Sequence, residues 1–151
     1  MIGEFWKRLT SPEADAAPQT GDDRLALAVL LVRVARSNWD YADEEVERID
    51  LILSRRYGIR LDEAGDLRHE GESLEAQAND TVQFTRAIKD AVPLDERDDV
   101  MEALWELVLA DGVRDAEEEG ILRLISPLLG INDRDSALAR QRVEARLSQE
   151  G

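Results

Sequence analysis

Cysteine is absent from the 151 residues, and histidine occurs once, at His69. Disulfides are thereby excluded, and so is any nitrogen- or sulfur-rich zinc or redox-metal site built within one chain. The lack of cysteine fits a reducing compartment, although many secreted bacterial proteins share it. Basic residues are also scarce. Nineteen Lys and Arg stand against 34 Asp and Glu, and the formal charge of -15 works against phosphate backbones and anionic lipid surfaces. Nucleic acid is disfavoured as a ligand. The carboxylate excess suits a cation or a basic protein partner, and it equally serves plain solubility.

Long apolar runs are missing too. Met1 to Leu9 carries Glu4 and no stretch of signal-peptide length, and no later segment approaches ~20 uncharged apolar residues. The expectation is a soluble, cytoplasmic protein that does not insert into membranes. No segment alternates with period 2 and β-branched enrichment, so no sheet is assigned. Ser-His-Asp and Cys-His arrangements and Gly-rich phosphate loops are absent. Carboxylate pairs abound without one standing out as an acid/base pair, which disfavours an enzyme and leaves a metal-dependent hydrolase as a third reading.

What the chain does have is a stretch that occurs twice. Val34 to Ile52 overlays Leu107 to Ile125 at a constant offset, pairing Asn38 with Asp111, Glu44 with Glu117, Glu45 with Glu118, Ile49 with Leu122 and Ile52 with Ile125. Each copy reads as an apolar helix, an acidic turn and a second helix opening on carboxylates, which suggests two halves related by a pseudo-twofold.

At this length the chain is one domain, able to bury about two-thirds of its unfolded surface. Residues 1–21 read as a short amphipathic segment (Ile2, Phe5, Trp6, Leu9) and a linker rich in Pro, Ala, Gln and Thr, leaving 22–148 as the folded domain. Phe5 and Trp6 form an apolar patch that suits docking onto the domain, a second subunit or a membrane partner. Leu25 to Val32 is apolar on every side and full of helix formers, so it should be a central buried helix after an N-cap at Asp22. Asp43 is placed to cap a helix carrying Val46, Ile49, Leu51, Ile52 and Leu53, closed by Gly58. The second copy mirrors it, with Val100, Ala103, Leu104, Leu107 and Val108 before the turn and Ile121, Leu122, Leu124, Ile125 and Gly130 after it. Between the copies, one helix runs from Asp62 towards Ala78 despite Gly65 and Gly71, and another from Asp80 bears Val82, Phe84, Ala87, Ile88 and Ala91 until Pro93. A last helix starts at Asn132 with Ala137, Leu138, Val143 and Leu147 as its stripe. About seven helices result, in an all-α bundle with Leu30, Leu104 and Trp105 in its core. Trp39, in a turn, is read as buried, and His69 as a surface residue.

Several local signatures resemble one family. Ala110 to Glu119 (A-D-G-V-R-D-A-E-E-E), its partner Ala35 to Glu45 (A-R-S-N-W-D-Y-A-D-E-E), Phe84 to Ile88 (F-T-R-A-I) and Leu129-Gly130-Ile131 look like the tellurite-resistance TerB family over about residues 25–138. The resemblance implies a compact all-helical domain of two related halves and a role in tellurite and chemical-stress resistance. It further implies complexes near the inner face of the membrane and divalent metal held by the acidic turns. A related domain also forms part of some membrane-anchored J-domain cochaperones. Protein partners are therefore expected, and a homodimer is compatible with the pattern.

Carried over residue by residue, Asp111, Gly112, Asp115, Glu117 and Glu118 fit the family pattern in the second copy. The first copy has Asn38 and Trp39 where Asp-Gly would stand and Ala42 opposite Asp115, which weakens a symmetric two-site arrangement. Asp40, Asp43, Glu44 and Glu45 still supply carboxylates there. Hard cations such as Ca²⁺ or Mg²⁺ want converging oxygens, which Asp111, Asp115 and Glu118 can offer from a loop and the following first helical turn. The EF-hand template fails, since counting from Asp111 puts Val113, Ala116 and Leu122 where an oxygen ligand, a Gly and a bidentate Glu belong. The competing reading is a protein-interaction domain in which Asp43 and Asp115 cap helices and the glutamates face the positive helix ends.

Overall fold

A computed structural model describes residues 22–37, 41–77, 86, 89–90, 92–110 and 116–150. Among them lie six α-helices, α1 (Asp22–Arg36), α2 (Asp43–Tyr57), α3 (Leu61–Gln77), α4 (Arg97–Leu109), α5 (Ala116–Leu128) and α6 (Asp133–Glu150), with a 3-10 turn at Leu94–Glu96. No strand occurs among the described residues, in keeping with the expected all-α class. Of the further helix expected from Asp80 to Pro93, Arg86, Lys89 and Asp90 are described as helical. The segment 1–21 and Trp39 lie outside the described residues.

The architecture grows from α1. Every residue from Leu25 to Val32 is at most 5% exposed, because a helix that is apolar all round has no face to give to water and must be surrounded. Helices α2, α3, α4 and α5 all pack on it. Leu104 and Trp105 of α4, Leu122 and Ile125 of α5 and Ala139 and Val143 of α6 complete one continuous core.

Helix α3 lies close against α1. A methyl group built on Gly71 would stand 3.0 Å from the Ala28 Cβ and 3.2 Å from the Val29 backbone nitrogen. The glycine that weakens α3 locally is therefore what lets the two backbones meet. Gly71→Ala should destabilise the protein by ~1 to 3 kcal/mol through overpacking, against the gain of about 1 kcal/mol that helix propensity alone gives. Gly65→Ala, whose nearest neighbours stand at 3.6 Å, should instead stabilise by ~0.5 to 1 kcal/mol. Urea midpoints of the two variants check this, and a gain at both positions would mean that α1 and α3 are not in tight contact.

The helix C-termini follow the expected turn chemistry, whereas two expected N-caps, Asp22 and Asp43, are themselves the first residues of their helices. Gly58 (φ 62°) ends α2 in the left-handed conformation, with the Ile59 N–H donating to the Ser54 carbonyl at 3.2 Å. Gly130 (φ 79°) does the same after α5, with the Ile131 N–H on the Ser126 carbonyl at 2.9 Å. Asn132 caps α6 by accepting the Asp135 N–H at 2.7 Å. At Asp43 the actual cap is the preceding residue. The N-cap of α2 is Ala42, with no side-chain cap bond, and Asp43 is already the first helical residue, so its carboxylate faces the positive helix end without capping it.

Three apolar residues expected in the stripes are exposed: Leu51, Leu124 and Leu138. Each lies one residue from a buried position, Ile52, Ile125 and Ala139, and a step of about 100° around the helix turns it outward. The stripe of α6 is accordingly Ser136, Ala139 and Val143, with Leu147 packed at its edge. Glu102 of α4 ties α6 down by accepting from Arg142 Nε and Arg146 Nη1, each at 2.8 Å.

Candidate functional site

The described candidate ligands all sit on first helical turns, Asp43, Glu44 and Glu45 on α2 and Glu117 and Glu118 on α5. Asn38, Asp40, Asp111 and Asp115 lie outside the described residues. Asp43, Glu44 and Glu117 are exposed. Glu45 and Glu118, partners in the overlay of the two copies, are 9% and 6% exposed.

Helical periodicity explains that burial. Glu45 precedes buried Ile49, Ile52 and Leu53 by four, seven and eight positions, and Glu118 stands in the same relation to Leu122, Ile125 and Ser126. In each helix the stripe that faces the core carries a carboxylate at its N-terminal end, so packing the stripe draws the carboxylate out of water. Both glutamates are engaged in interactions, and both stand where the positive end of the helix favours negative charge. Glu119, not anticipated as a site residue, is also buried. Among the described residues no group of three or more His, Cys, Asp or Glu side chains is placed to hold a metal ion. The described carboxylates alone do not form a coordination shell.

Where the first turn rejoins the described chain, Tyr41 is fastened by a polar network. Its hydroxyl donates to Glu72 Oε2 at 2.6 Å, and the Arg36 guanidinium lies over its ring at 5.1 Å. Arg68 donates to the same Glu72 oxygen at 2.9 Å and to Asp50 Oδ1 at 2.7 Å, bridging α3 and α2. Arg36 completes the set by reaching Glu75 at 2.6 Å. Burial pushes the Glu72 carboxyl up, but the hydrogen bonds from Tyr41 and Arg68 and the charges of Arg68 and Arg36 outweigh it and hold it below the ordinary glutamate value. Burial, the hydrogen bond to Glu72 and the Glu72 charge raise the Tyr41 phenol above its usual range, so it stays a donor. His69 is exposed, as expected, with Nδ1 3.4 Å from Glu72 Oε1.

A family model for the tellurite resistance protein TerB matches residues 24–141. The chain belongs to the TerB family. The match begins in α1 and ends midway along α6, so it spans α2 to α5 entire, both acidic turns and both buried glutamates of this TerB-family chain. Neither the curated proteins nor the solved structures contain a match to it. Among the described residues, no helix of this TerB-family chain is long and apolar enough to cross a membrane.

Two features of the TerB-family chain escaped the sequence. The Arg68 to Glu72 spacing of four on one helix was a visible signal, whereas Tyr41 and Asp50 come from other elements. Glu119 gave no signal, since it follows two carboxylates of the same acidic run.

Proposed function

We propose that this TerB-family chain is a non-enzymatic binding module of a tellurite-related or chemical-stress response, acting in the cytoplasm. It holds a divalent cation, Ca²⁺ or Mg²⁺, where an acidic turn meets the buried glutamate of the helix that follows. The observation that carries this reading is the matched burial of Glu45 and Glu118. A carboxylate at a helix N-terminus is favoured while fully solvated, so stabilising the helix does not require taking it out of water. Removing a charge from water costs several kcal/mol unless pairing, hydrogen bonds or a metal compensates. A buried carboxylate recurs at one register in both copies, directly after both acidic turns. It supports a pseudo-twofold relation between the halves and a shared purpose for the two carboxylates.

The donor set is all oxygen, which suits hard cations. Asp111 and Asp115 would join Glu118 in the second copy, and Asn38 and Asp40 would join Glu45 in the first. With Asn38 neutral, the second copy is the stronger site. The protein-interaction reading relies on Asp43 and Asp115 as caps, and Ala42 at the cap position of α2 weighs against it in the first copy.

Calorimetric titration of the chelator-treated full chain with Ca²⁺, Mg²⁺, Mn²⁺ and Zn²⁺ tests the proposal. Saturable binding of Ca²⁺ or Mg²⁺ is expected, with a rise in Tm that follows ligand linkage, ~2.7 kcal/mol at a hundred times Kd. Asp111→Asn, which preserves shape and copies Asn38, should abolish that rise. On the capping reading Asp115→Ala costs ~0.5 to 2 kcal/mol with or without metal, and Asp111→Asn does little. A wild-type melt indifferent to every divalent ion would leave a helical interaction domain.

A further inference from the structure

A cleft of about 250 Å³ opens between α2, α4 and α6. Leu51, Ile52, Ala110 and Leu147 line it with apolar surface, and Arg48, Arg55 and Glu106 add charge. Leu51 is 40% exposed, so leucine surface that burial would stabilise is left to water. Carried on at the same offset, the overlay of the two copies pairs Leu147 with Leu74, which is buried. Leu147 is only half-buried, so this place is open where its counterpart is covered.

The chain enters α1 beside this cleft. At the start of α4, Arg97 donates to the Leu129 carbonyl just beyond α5 at 3.4 Å. In the overlay Arg24 stands opposite Arg97 and Tyr57 opposite Gly130, and the Arg24 guanidinium lies over the Tyr57 ring at 5.0 Å. The start of α1 is thereby held at the C-terminal end of α2, as the start of α4 is held at that of α5. From Tyr57 the cleft runs back along α2 to Arg48, ~14 Å of helix. The linker from Thr10 to Gly21 can span up to ~40 Å, so residues 1–9 reach every part of the cleft.

Met1 to Leu9 lies outside the described residues, and its sequence fits the cleft. Ile2, Phe5, Trp6 and Leu9 follow the i, i+3, i+4, i+7 spacing of one helical face, and Arg48, Leu51, Ile52 and Arg55 of α2 follow the same spacing. Each stripe is ~10 Å long on a helix. Glu4, Lys7 and Arg8 fall on the opposite face of the segment. Lys7 and Arg8 outnumber Glu4, in a chain whose formal charge is -15, so the segment is drawn to the acidic body that an anionic lipid surface would repel. A second copy could supply the same segment, but the tether holds this one at an effective concentration of roughly millimolar.

We propose that Met1 to Leu9 docks as an amphipathic helix in the cleft between α2, α4 and α6 of its own chain, laying Phe5 and Trp6 against Leu51 and Leu147. This is helix-in-groove recognition within one chain, and it is independent of the cation reading.

The test reads the indole N–H signal of Trp6 by NMR in the full chain, assigned among the three tryptophans with Trp6→Phe. A synthetic peptide of residues 1–21 gives the position of the free signal. In the full chain the signal should lie away from that position and stay there on ~100-fold dilution, as an intramolecular contact must. Leu51→Asp should shift the docked-to-free ratio towards the free position by about tenfold or more, and the milder Leu51→Gln should act in the same direction. Leu94→Asp and Leu124→Asp, at exposed positions that do not line the cleft, should leave the signal in place. The Trp105 indole N–H, which donates to Ser136 Oγ, reports in every variant that the bundle is folded. A wild-type Trp6 signal at the free position would overturn the proposal, whether or not phosphatidylglycerol vesicles then move it. So would a signal that returns to the free position on dilution, which would seat the segment on a second copy, or one that moves with Leu124→Asp and not with the Leu51 variants.

Discussion

Leu30→Ala and Leu104→Ala are each expected to lower the unfolding free energy by ~2 to 5 kcal/mol. Both leucines are 0% exposed, so each truncation removes buried methyl groups and leaves a void. The cost depends on how far the surroundings can collapse into it. Leu30 belongs on the expensive side, because α1 is packed by α2, α3, α4 and α5 and a shift that filled the void would disturb several contacts. Leu94→Ala serves as the control, since its side chain is 71% exposed and surface truncations stay within ~0.5 kcal/mol. Denaturant unfolding with an unchanged m-value gives the comparison. Wild-type midpoints for both core variants would show that the buried face has been assigned to the wrong residues.

What was legible in the sequence was what local rules determine. Leu25 to Val32 announces a central helix because no rotation of it presents a polar face, and Gly58 and Gly130 announce helix ends because left-handed backbone favours them. The pairing of Glu45 with Glu118 was legible from the overlay, but their burial was not. It depends on the exact phase of a stripe, and the same phase places Leu51 and Leu124 outside while Ile52 and Ile125 go in. Asp43 was misread as a cap because helix boundaries shift by a residue at little energetic cost. Gly71 was read only for its cost, since the neighbour that requires it, Ala28, is 43 positions earlier in the chain.

Arg68→Met should be the other strongly destabilising change, by ~2 to 3 kcal/mol at neutral pH. Deleting one partner of a buried ion pair costs ~3 to 5 kcal/mol because the remaining charge is left uncompensated. Here the side chains of Arg68, Asp50 and Glu72 are still 17 to 20% exposed, and solvent screening lowers the figure. The pH dependence identifies the source. The carboxyl of Glu72 titrates lower in the folded protein than its ordinary 4.5, so the folded state gains from its ionisation. That stability is fully present above the unfolded value and is lost as pH falls through the lowered folded one. The penalty of Arg68→Met should accordingly be greatest near pH 7 and shrink below about pH 4.5, as should that of Tyr41→Phe, which removes a hydrogen bond to a charged acceptor. Urea unfolding at pH 7, 4.5 and 3 measures both. A penalty for Arg68→Met that is equally large at pH 3 would trace the loss to the packing of its aliphatic stem. If the penalty does shrink, the charges themselves hold Tyr41 against α3, and with it the point at which the first acidic turn enters α2.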